Sequence, residues 1–580
     1  MIRKLLVANR GEIARRIFRT CDRLGIATVA VYSDADRDSP HVREAREAVR
    51  IGESPARDSY LRMDRIIEAA KRTNAGAIHP GYGFLAENAD FSQACDRAGI
   101  RFIGPRAETI RLMGSKINAR ALAARAGVPI IPEDGLPLLV KAAAGGGGKG
   151  MRRVDRPEDL APALEAARRE AESAFGDPTL LTERYLDRAR HIEVQIFGDN
   201  HGNVVHLYER ECSLQRRYQK IIEEAPAANL APEIKTALYE AALRIAREIG
   251  YVSAGTVEFL VDAHGAFYFL EINTRIQVEH PVTGMILGRD LIEMQIEVAE
   301  GRALQPDFAA PAGHAIEARL YAEDPSNDFL PSIGKILRWR PPQHVRVESP
   351  IETGSTVGIH YDPMLAKIIG HGNARESAIR KLRNALETTL IQGVATNREY
   401  LIQALDSEEF LAGRIHTGST ISITGDRLRE PAAKAFLDSY LETRHVAHRK
   451  ILPAVPAGYR NNPFEVRERP EIRERFEFAE DEASYWVDHF TFPKSRGASA
   501  QGSATAESAS SPMPGKILKI LVDPGSEVNN GDPLIVVEAM KMEQTIRAHS
   551  AGIVDEILAK PGQVIAPGQM LVRLRPKDNL

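Results

Sequence analysis

The chain has 580 residues, a formal net charge of -3 at pH 7, 43% apolar residues and 27% charged residues. This length predicts several domains, and the composition is that of an ordinary globular protein. The small net charge gives no global signature of nucleic-acid or membrane binding, and no stretch approaches the ~20 apolar residues that span a bilayer. We therefore expect neither a nucleic acid nor a membrane as a partner.

The cysteines and the first residues predict a location. Cys21, Cys95 and Cys212 are the only cysteines, and their spacing is not that of metal ligands. Such cysteines are typical of free thiols in a reducing compartment. The apolar run in MIRKLLVANRGE is too short for a secretory signal and is better interpreted as a buried strand. These features predict a cytoplasmic protein.

Residues 1–112 alternate predicted strands with predicted helices. Strands are predicted at 4–8, 27–32, 77–78 and 101–103, with a helix from residue 11 to about residue 24. Such alternation favours a parallel sheet that is covered by helices on both faces. The glycines do not follow GxGxxG, so the dinucleotide fingerprint is absent. The first domain is therefore predicted to be α/β.

A smaller unit is predicted at 113–190, and its strand at 138–141 ends at Lys141. Four glycines, Gly145 to Gly148, follow shortly afterwards. Consecutive glycines allow a backbone to fold its N–H groups over phosphates, although the spacing is not that of a P-loop. A flexible loop is the alternative, but Lys116 and Lys141 nearby favour phosphate binding.

The segment 256–273 predicts a β-hairpin that carries paired acidic residues. The hairpin would place Glu258 opposite Leu270 or Glu271, about 5 Å apart at Cβ. Side chains alternate along a strand, so Asn273 would share the face of Glu271. Carboxylate and carbonyl oxygens are the ligands that Mg²⁺ prefers. The hairpin therefore predicts a magnesium site, with an ordinary solvated strand face as the alternative.

The same alternation continues beyond Asn273. If the strand extends that far, Arg275, Gln277 and Glu279 join the polar face of the hairpin. Like charges opposite one another destabilise a hairpin unless something neutralises them. We therefore interpret this stripe of ligand, cationic and basic groups as a catalytic surface.

The rest of the chain divides into a large unit, a linker and a small domain. Residues 191–445 are predicted to be α+β. Residues 446–510 are first charged and then rich in Gly, Ala and Ser, as flexible linkers are. Residues 511–578 consist of two similar halves with Pro-Gly turns at 524–525 and 561–562. Such a pattern is typical of a duplicated all-β unit.

Lys541 lies where the two halves join, in Glu538-Ala539-Met540-Lys541-Met542. A duplicated β unit would present this lysine on a tight, exposed hairpin. A lone exposed lysine is ordinarily only a solvated side chain. The internal symmetry and the flanking methionines favour a modified lysine here.

Several of these segments resemble a known family. The chain resembles a biotin carboxylase, which is an ATP-grasp enzyme, joined to its biotin carrier, in the motifs NRGEIA, HPGYGF, KAAAGGGGKGM, QRRYQK, EINTRIQVEHPVTG and EAMKM. The resemblance covers residues 1 to about 445 and about 510 to 578. It implies an α/β N-terminal domain, an α+β ATP-grasp core and a C-terminal all-β biotinyl domain, a lipoyl-like flattened barrel.

The resemblance also implies roles for the residues that match family motifs. ATP would contact Lys116, Lys141, Gly147, Gly148, Glu183, Arg184, Tyr185, Leu186 and His191. Mg²⁺ or Mn²⁺ would bind Glu258, Glu271 and Asn273, and biotin would be attached to Lys541. Bicarbonate would lie among Lys220, Arg275, Gln277, Val278 and Arg346, with Glu279 as its general base and Arg346 facing the ureido group of biotin. Lys220, Arg275, Glu279 and Arg346 would be the catalytic residues.

The implied reaction is the ATP-dependent carboxylation of biotin by bicarbonate. Bicarbonate would attack the γ-phosphorus of ATP to give carboxyphosphate and ADP. Carboxybiotin would then swing to a carboxyltransferase, which we expect on a separate β subunit because no region of that size follows the biotinyl repeat. The resemblance further implies biotin protein ligase as a partner, a homodimer within a larger complex, and acyl-CoA carboxylation as in fatty acid biosynthesis.

Two alternatives stay open from the sequence alone. The connection at 130–137 is shorter than is usual in the family, and Tyr218 stands where the family usually has His. The chain could therefore be a biotinylated carrier and assembly module without carboxylase activity, which bicarbonate-dependent ATP hydrolysis would decide. The terminal domain could also carry lipoate, although Met540 and Met542 disfavour it.

Overall fold

The computed structural model describes residues 1–143, 151–216, 218–305, 308, 310–327, 329–421, 475–477, 484–486, 508–513, 515–539, 542–566 and 568–575. Gly147, Gly148, Lys541 and most of the predicted linker at 446–510 lie outside these ranges. The expectations for them stay predictions. Within the described ranges, no helix combines the length and the apolar character that crossing a membrane requires.

The first domain is built on a parallel sheet. Its elements are β1 (Lys4–Val7), α1 (Gly11–Arg23), β2 (Ala27–Ser33), α2 (Pro40–Glu44), β3 (Glu47–Gly52), α3 (Met63–Arg72), β4 (Ala77–His79), α4 (Ala89–Arg97) and β5 (Arg101–Phe102). The strand order is β3-β2-β1-β4-β5, and all four pairs are parallel. Leu5, Leu6 and Val7 are fully buried, as expected of a strand covered on both faces. The predicted α/β domain is confirmed.

The second unit is a small antiparallel sheet with helices. It consists of α5 (Ala107–Met113), α6 (Lys116–Arg125), β6 (Leu138–Ala142), β7 (Arg152–Val154), α7 (Leu160–Phe175) and β8 (Leu180–Arg184). The order is β7-β6-β8, so β6 is central. The predicted strand at 138–141 is β6. Helix α7 packs its Ala167 against Leu138, Val140 and Val154 of the sheet.

An eight-stranded antiparallel sheet forms the core of the chain. Its elements begin with β9 (Arg190–Gly198), β10 (Val204–Arg216), β11 (Gln219–Ala225), α8 (Pro232–Glu248), β12 (Ser253–Val261), β13 (Phe267–Asn273), α9 (His280–Leu287), α10 (Leu291–Ala299) and β14 (His314–Tyr321). They continue with β15 (Glu323–Asp324), β16 (Leu330–Pro331), β17 (Gly334–Lys335), β18 (Arg338–Arg340), β19 (Arg346–Glu348), β20 (Thr356–Val357), β21 (Met364–Gly372), α11 (Arg375–Thr388), β22 (Leu390–Gln392), α12 (Arg398–Asp406) and α13 (Glu408–Leu411). The sheet order is β13-β12-β9-β10-β11-β14-β21-β19.

The predicted hairpin is β12–β13, and its register is one of the two expected. Glu258 lies opposite Glu271, and a bulge follows, so that Phe259 pairs with Phe269 and Leu270 has no direct partner. The expectation that the strand continues beyond Asn273 is wrong. Strand β13 ends at Asn273, and a turn leads into α9, whose first turn contains Pro281. Proline cannot donate to a central ladder but suits the start of a helix, so the chain turns here.

The short connection between Pro129 and Leu138 is attached to this hairpin. The N–H of Phe269 donates to the carbonyl of Pro129 at 2.7 Å, and Ile130 forms an isolated parallel bridge with Phe269. On its other side, the N–H of Arg184 donates to the carbonyl of Pro132 at 2.7 Å. The connection therefore joins the small antiparallel sheet to strand β13.

Asp290 joins the first domain to the core. It caps α10 by accepting from the N–H of Ile292 at 3.0 Å, and it accepts from Thr20 at 2.7 Å and from Arg23 at 2.6 Å on α1. Arg16 forms a further ion pair with it. Burial works to raise the pKa of Asp290, but Arg16 outweighs it and lowers the pKa to about 2. The carboxylate is therefore ionised at neutral pH and holds the two domains together.

The C-terminal domain is all-β and duplicated, as predicted. After the short pair β23 (Arg475–Glu477) and β24 (Ser484–Trp486), it contains β25 (Ser508–Ser510), β26 (Gly515–Ile520), β27 (Glu527–Val528), β28 (Pro533–Ala539), β29 (Met542–Arg547), β30 (Gly552–Ile557), β31 (Val564–Ile565) and β32 (Met570–Arg575). These strands form two four-stranded sheets, β25-β32-β30-β27 and β29-β28-β26-β31. Corresponding strands β26 and β30 show the same alternation of buried and exposed positions. The two sheets bury a common apolar core.

Phe259 and Phe267 offer a matched test of the core beneath the hairpin. Their rings pack edge to face with centroids 5.7 Å apart, but Phe259 is fully buried and Phe267 is partly exposed. Phe259→Ala is expected to lower the free energy of unfolding by about 3–5 kcal/mol, because it leaves a cavity. Phe267→Ala should lower the free energy of unfolding clearly less, because Phe267 is already partly exposed. Urea unfolding followed by far-UV circular dichroism measures the free energy of unfolding of both variants. Equal losses in the two variants would contradict the burial difference described here.

Candidate active site

Glu258 is the carboxylate of the hairpin with the most hydrogen-bond and ion-pair partners. It is buried on β12, and burial alone would raise its pKa. Lys220 and His191 outweigh burial, so the pKa of Glu258 lies below its usual value. Its oxygens contact Lys220 Nζ (3.0 Å), Asn273 Nδ2 (2.8 Å), Gln277 Nε2 (3.0 Å) and His191 Nε2 (2.7 Å). Glu258 is thus ionised and oriented from four directions.

Glu271 contrasts with its cross-strand partner. It is only partly buried, and its carboxylate makes no hydrogen bond or ion pair to any described residue. Burial and the charge of Glu258 raise its pKa. Two facing carboxylates, one of them unpaired, and the amide oxygen of Asn273 form a set of hard oxygen donors. This set suits a divalent cation such as Mg²⁺.

Lys220 lies at the centre of the site. Its Nζ contacts Glu193 at 2.6 Å, Glu258 at 3.0 Å and Glu279 at 2.7 Å. Burial works to lower the pKa of Lys220, but the three carboxylates raise it well above its usual value. Glu193 is also paired with the fully buried Arg210. The lysine therefore stays charged and links the hairpin to the turn that precedes α9.

Glu279 reaches Lys220 although it is not on the strand. It precedes α9 and is almost fully buried. One oxygen accepts from Lys220, and the other accepts from Arg319 Nη2 at 3.0 Å. Burial would raise its pKa, but Lys220, Arg319 and Arg210 hold it well below the usual value. Glu279 is therefore an ionised carboxylate, the state that a proton acceptor requires.

Arg275 and Gln277 form the wall between Glu258 and the first domain. Arg275 donates to Asn273 Oδ1 at 3.1 Å, to Gln277 Oε1 at 2.7 Å and to Glu87 at 2.8 Å. Gln277 uses its other amide atom to donate to Glu258. The turn therefore keeps these side chains beside Glu258. The sequence analysis also grouped them with Glu258, but it did so by extending the strand, whereas the structure has a turn there.

A cavity of about 230 Å³ opens next to these residues. Arg319 lines it, and its Nε is buried without a hydrogen-bond partner among the described residues. The guanidinium thus keeps a donor for an incoming anion. The lining consists of Asn9, Arg10, Gly11, Glu12, Ile13, Tyr82, Gly83, Phe84, Arg275, Val278, Arg319, Tyr321, Pro350, Tyr361, Asp362 and Met364. Arg275 and Val278, which the family resemblance places beside bicarbonate, are two of these lining residues.

The structure does not bring Arg346 into this cavity. Arg346 begins the edge strand β19, and its guanidinium pairs with Glu348 at 2.7 Å. Burial and the nearby Arg16 lower its pKa to about 10. Arg346 is absent from the cavity lining, whereas Arg319 is part of it and contacts Glu279. Of these two arginines, the structure therefore places Arg319, and not the predicted Arg346, at the cavity.

The residues predicted to contact ATP lie on the small sheet and beside it. Lys141 on β6 pairs with Glu183 on the neighbouring strand β8, and Arg120 holds the other Glu183 oxygen at 2.5 Å. Lys116 begins α6 and donates to the carbonyl of Ala142 at 3.3 Å. Burial lowers the pKa of Lys116 despite the nearby Glu271. The two lysines thus converge towards the hairpin.

The remaining predicted nucleotide contacts follow in the chain. Arg184 is exposed and donates to the carbonyl of Asp134 at 3.0 Å, and Tyr185 stacks under Arg153 at 4.5 Å. Leu186 is half-buried. His191 bridges Glu258 and Gln215, so it belongs to the same cluster as the hairpin carboxylates. Gly147 and Gly148 lie outside the described residues.

The sequence analysis missed five buried charged residues that lie in the site or directly behind it. Glu193, Arg210, Glu223, Glu317 and Arg319 are all less than 9% exposed. A signal for them existed, because charged residues stand at alternate positions of otherwise apolar strands, as in HAIEARLY. A charge in a strand that is buried on both faces needs a partner. That rule would have predicted a network of buried charges, but it would not have shown which residues pair with one another.

Comparison with known families agrees with this architecture. The chain matches the family models described as "Biotin carboxylase, N-terminal domain" at residues 1–110, "Carbamoyl-phosphate synthase L chain, ATP binding domain" at 109–306, "Biotin carboxylase C-terminal domain" at 317–421 and "Biotin-requiring enzyme" at 507–574. Together they cover the three sheets and the duplicated β domain.

Curated relatives extend over the whole chain. The mitochondrial methylcrotonoyl-CoA carboxylase subunit alpha of Arabidopsis thaliana is 40% identical, over 99% of this chain and 95% of its own length. The chain belongs to the family of biotin-dependent acyl-CoA carboxylase alpha subunits. The mitochondrial propionyl-CoA carboxylase alpha chain of Homo sapiens is 38% identical, over 98% of this chain and 91% of its own.

Solved structures match the carboxylase part of the family fold. The biotin carboxylase–βγ-ATP complex of Campylobacter jejuni is 44% identical, with a TM-score of 0.70 over 72% of this chain and 98% of its own. The biotin carboxylase domain dimer of the Hydrogenobacter thermophilus 2-oxoglutarate carboxylase, in complex with MgADP, ADP and bicarbonate, is 44% identical, with a TM-score of 0.70 over 72% and 96%.

The family assignment confirms the predicted function and cofactors. The chain carboxylates covalently bound biotin with ATP and bicarbonate and serves a partner carboxyltransferase. Biotin, ATP and Mg²⁺ are its cofactors and co-substrate. The predicted fold class, an α/β domain with an ATP-grasp core and a biotinyl domain, is confirmed as well.

Lys220→Met tests the central ion cluster. Removing the lysine leaves Glu193, Glu258 and Glu279 partly unneutralised, so the free energy of unfolding should fall by about 3–5 kcal/mol at pH 8. The remaining carboxylates would then have pKa values above those of the unfolded chain. The loss is therefore expected to shrink as the pH falls and they become protonated.

Thermal unfolding between pH 6 and pH 8 measures this effect, and Lys220→Arg is the control. The arginine retains the charge, so it should lose less stability and show little dependence on pH. A Lys220→Met penalty that grew towards low pH would contradict the ionised state assigned to Glu258 and Glu279.

Proposed function

We propose that the residues gathered around Lys220 are the site at which ATP and bicarbonate react and biotin receives the carboxyl group. The observation that carries this proposal is the position of Lys220. It touches Glu258 of the hairpin and Glu279 beside the cavity at the same time. A cation in that position can hold the anionic nucleophile next to the phosphate that it attacks.

Glu258, Glu271 and Asn273 are proposed to hold the metal. The partly buried carboxylate of Glu271, which pairs with no described residue, supports this. Burial and the charge of Glu258 raise its pKa, and a bound cation would offset both effects. Bound Mg²⁺ supplies positive charge that neutralises the oxygens of the transferred phosphoryl group. His191 and Gln277 orient Glu258 from the other side.

Glu279 is proposed to accept the proton of bicarbonate, and Lys220, Arg275, Gln277 and Val278 to bind the anion. A low pKa makes Glu279 a weak base while it is paired with Lys220. Bicarbonate bound to Lys220 would share that charge and bring a second negative group close to Glu279. Both changes raise the pKa of Glu279 and so favour the proton transfer.

We propose Arg319 for the role that the sequence suggested for Arg346. Arg319 lines the cavity and has a buried Nε without a partner, whereas Arg346 pairs with Glu348 at the sheet edge. Negative charge that develops on the ureido oxygen of biotin would meet the Arg319 guanidinium. Preorganised donors of this kind stabilise developing charge without further rearrangement.

The nucleotide is proposed to lie between the small sheet and the hairpin. Lys116 and Lys141 approach Glu271 and would bind the phosphates together with Gly147 and Gly148. Glu183, Arg184, Tyr185 and Leu186 would line the adenine end, with His191 beside the phosphates. In support, the two lysines converge although burial already lowers the pKa of Lys116.

Four further proposals concern the domain boundaries, the assembly, the modifying enzyme and the location of the protein. We propose boundaries at 1–112, 113–190, 191–445, 446–510 and 511–578, a homodimer within a larger complex, and biotin protein ligase as the modifying enzyme. We also propose a cytoplasmic location, which the buried free thiols of Cys21, Cys95 and Cys212 support. Two relatives described above are mitochondrial proteins.

Paired arginine variants test the proposed reaction site. The biotinylated chain is expected to hydrolyse ATP only with bicarbonate and Mg²⁺, and faster with added free biotin. Arg319→Met should lower the biotin-dependent kcat at least about 100-fold, because it removes a preorganised donor for developing charge. Arg346→Met should lower the same kcat clearly less.

Release of phosphate from ATP, with and without biotin, is the measurement. A larger loss in Arg346→Met than in Arg319→Met would restore Arg346 to the catalytic role. Absence of bicarbonate-dependent hydrolysis in the folded, biotinylated chain would instead support the carrier and assembly alternative.

The modification of Lys541 can be measured directly. Co-expression with biotin protein ligase is expected to add the mass of one biotin to the intact chain, and streptavidin should detect it. Lys541→Arg is the control and should abolish both signals. A mass increase equal to lipoate would contradict the assignment.

A further inference from the structure

A group of charged side chains lies beneath the start of α9. Glu223 on β11 is directly opposite Glu317 on β14, and Arg319 on β14 is directly opposite Lys367 on β21. Directly opposite residues of antiparallel strands point to the same face, as do residues two apart on one strand. These four buried residues, which we call the charged patch, therefore share one face of the large sheet.

Helix α9 covers that face. Its Val282 and Ile286 pack against Ala225, Ala315 and Ile369, which continue the same face away from the cavity. The charged patch lies towards the other end of the helix, where Glu279 precedes α9. The sheet beneath α9 is thus apolar at one end and charged at the end next to the reaction site.

Two carboxylates hold Arg319 through the same nitrogen. Nη2 lies 2.5 Å from Glu223 Oε1 and 3.0 Å from Glu279 Oε2. Only the contact with Glu279 has the alignment of a hydrogen bond, and both Glu223 oxygens lack an aligned donor among the described residues. Glu223 therefore attracts the guanidinium by charge from beneath, while Glu279 holds it from the cavity side.

Glu317 differs from Glu223 in having no cation of its own. It is fully buried, and neither of its oxygens accepts a hydrogen bond from a described residue. The nearby Lys367 donates instead to the carbonyl of Val278 at 2.8 Å and pairs with Glu12 at 3.2 Å. A buried unpaired carboxylate remains neutral. Burial accordingly raises the pKa of Glu317 well above its usual value.

We propose that Glu223 is a positioning residue for the carboxylation reaction, whose carboxylate holds Arg319 at the cavity, whereas Glu317 beside it makes no such contact. The inference rests on the role proposed above for Arg319. Glu223 would act at one step of the reaction, the proton transfer from bicarbonate. When Glu279 accepts the proton of bicarbonate, it loses its charge and its attraction for Arg319. Glu223 is then the carboxylate that still holds the guanidinium in place.

The charge of Glu223 should therefore appear in the pH dependence. Burial raises its pKa to about 7, with Arg319 opposing and Glu279 adding to the shift. The charged and titratable groups that face it are Lys220 on its own strand, Cys212 on β10, Glu317 and Arg319 on β14, Lys367 on β21 and Glu279 before α9. As the pH falls through 7, Glu223 becomes protonated and releases Arg319, so the rate should decline.

The test compares Glu223→Gln with Glu317→Gln in the full-length biotinylated chain. Bicarbonate-dependent ATP cleavage with free biotin is measured from pH 6 to pH 9. Glu223→Gln is expected to lower kcat by about 10- to 100-fold, because it removes a charged partner of Arg319, with KM for ATP changed less than about twofold. Its rate should no longer fall as the pH drops through 7.

Glu317→Gln replaces a neutral acid by a neutral amide of the same shape, so it should retain the rate and the pH profile of the unchanged chain. Glu223→Asp retains the charge with a shorter reach and should regain part of the kcat and the decline below pH 7. This second variant decides the matter if Glu223→Gln does not fold, as judged by thermal unfolding.

Two outcomes would overturn the inference. One is a Glu223→Gln enzyme, or failing that a Glu223→Asp enzyme, with the rate and pH profile of the unchanged chain. The other is an equal loss in Glu317→Gln, which would make the pair a packing element. Absence of bicarbonate-dependent cleavage in the unchanged chain would contradict the proposed function itself, and is therefore distinguishable from both.

Discussion

The carboxylase part of this chain depends on one constraint, the need to neutralise three buried carboxylates that meet at one lysine. Glu193, Glu258 and Glu279 come from β9, β12 and the turn before α9, and Lys220 comes from β11. An isolated charge in such surroundings is costly, and removing one partner leaves the others uncompensated. The strands that carry these groups must therefore keep their register, since a slip of one residue would move a charge to the other face.

The same constraint explains why the site extends so far into the sheet. Two charges of the site have a second, buried charge behind them, since Arg210 pairs with Glu193 and Glu223 with Arg319. Such networks are weak as a source of stability. Their value lies in fixing the direction of each donor before the substrates arrive, which is the arrangement that stabilises developing charge.

Local pattern was sufficient to predict most strands of the first sheet and the existence of the hairpin. Apolar runs predicted four of the five strands of that sheet but missed β3, which is largely exposed. Alternation left Leu270 and Glu271 as possible partners of Glu258, and the structure selects Glu271. It failed where the chain leaves the strand, because Pro281 starts a helix and the side chains of Gln277 and Glu279 reach the site from a turn. Arg319 and Arg346 show a further limit. Each has apolar neighbours in the sequence, and only the pairing of β14 between β11 and β21 puts Arg319 at the cavity. Such pairing links residues that are far apart in the sequence, as Glu223 with Glu317 and Arg319 with Lys367, which no short motif encodes.

The bridge between Ile130 and Phe269 has a consequence for turnover. Phe269 is two residues from Glu271 on β13, and the connection at 129–137 leads directly into the strand that carries Lys141. A displacement of the small sheet would therefore pull on the strand that carries Glu271, the residue proposed above as a metal ligand. The positions of Glu271 and of the strand that carries Lys141 are thereby coupled, so that a movement of one during the catalytic cycle is transmitted to the other.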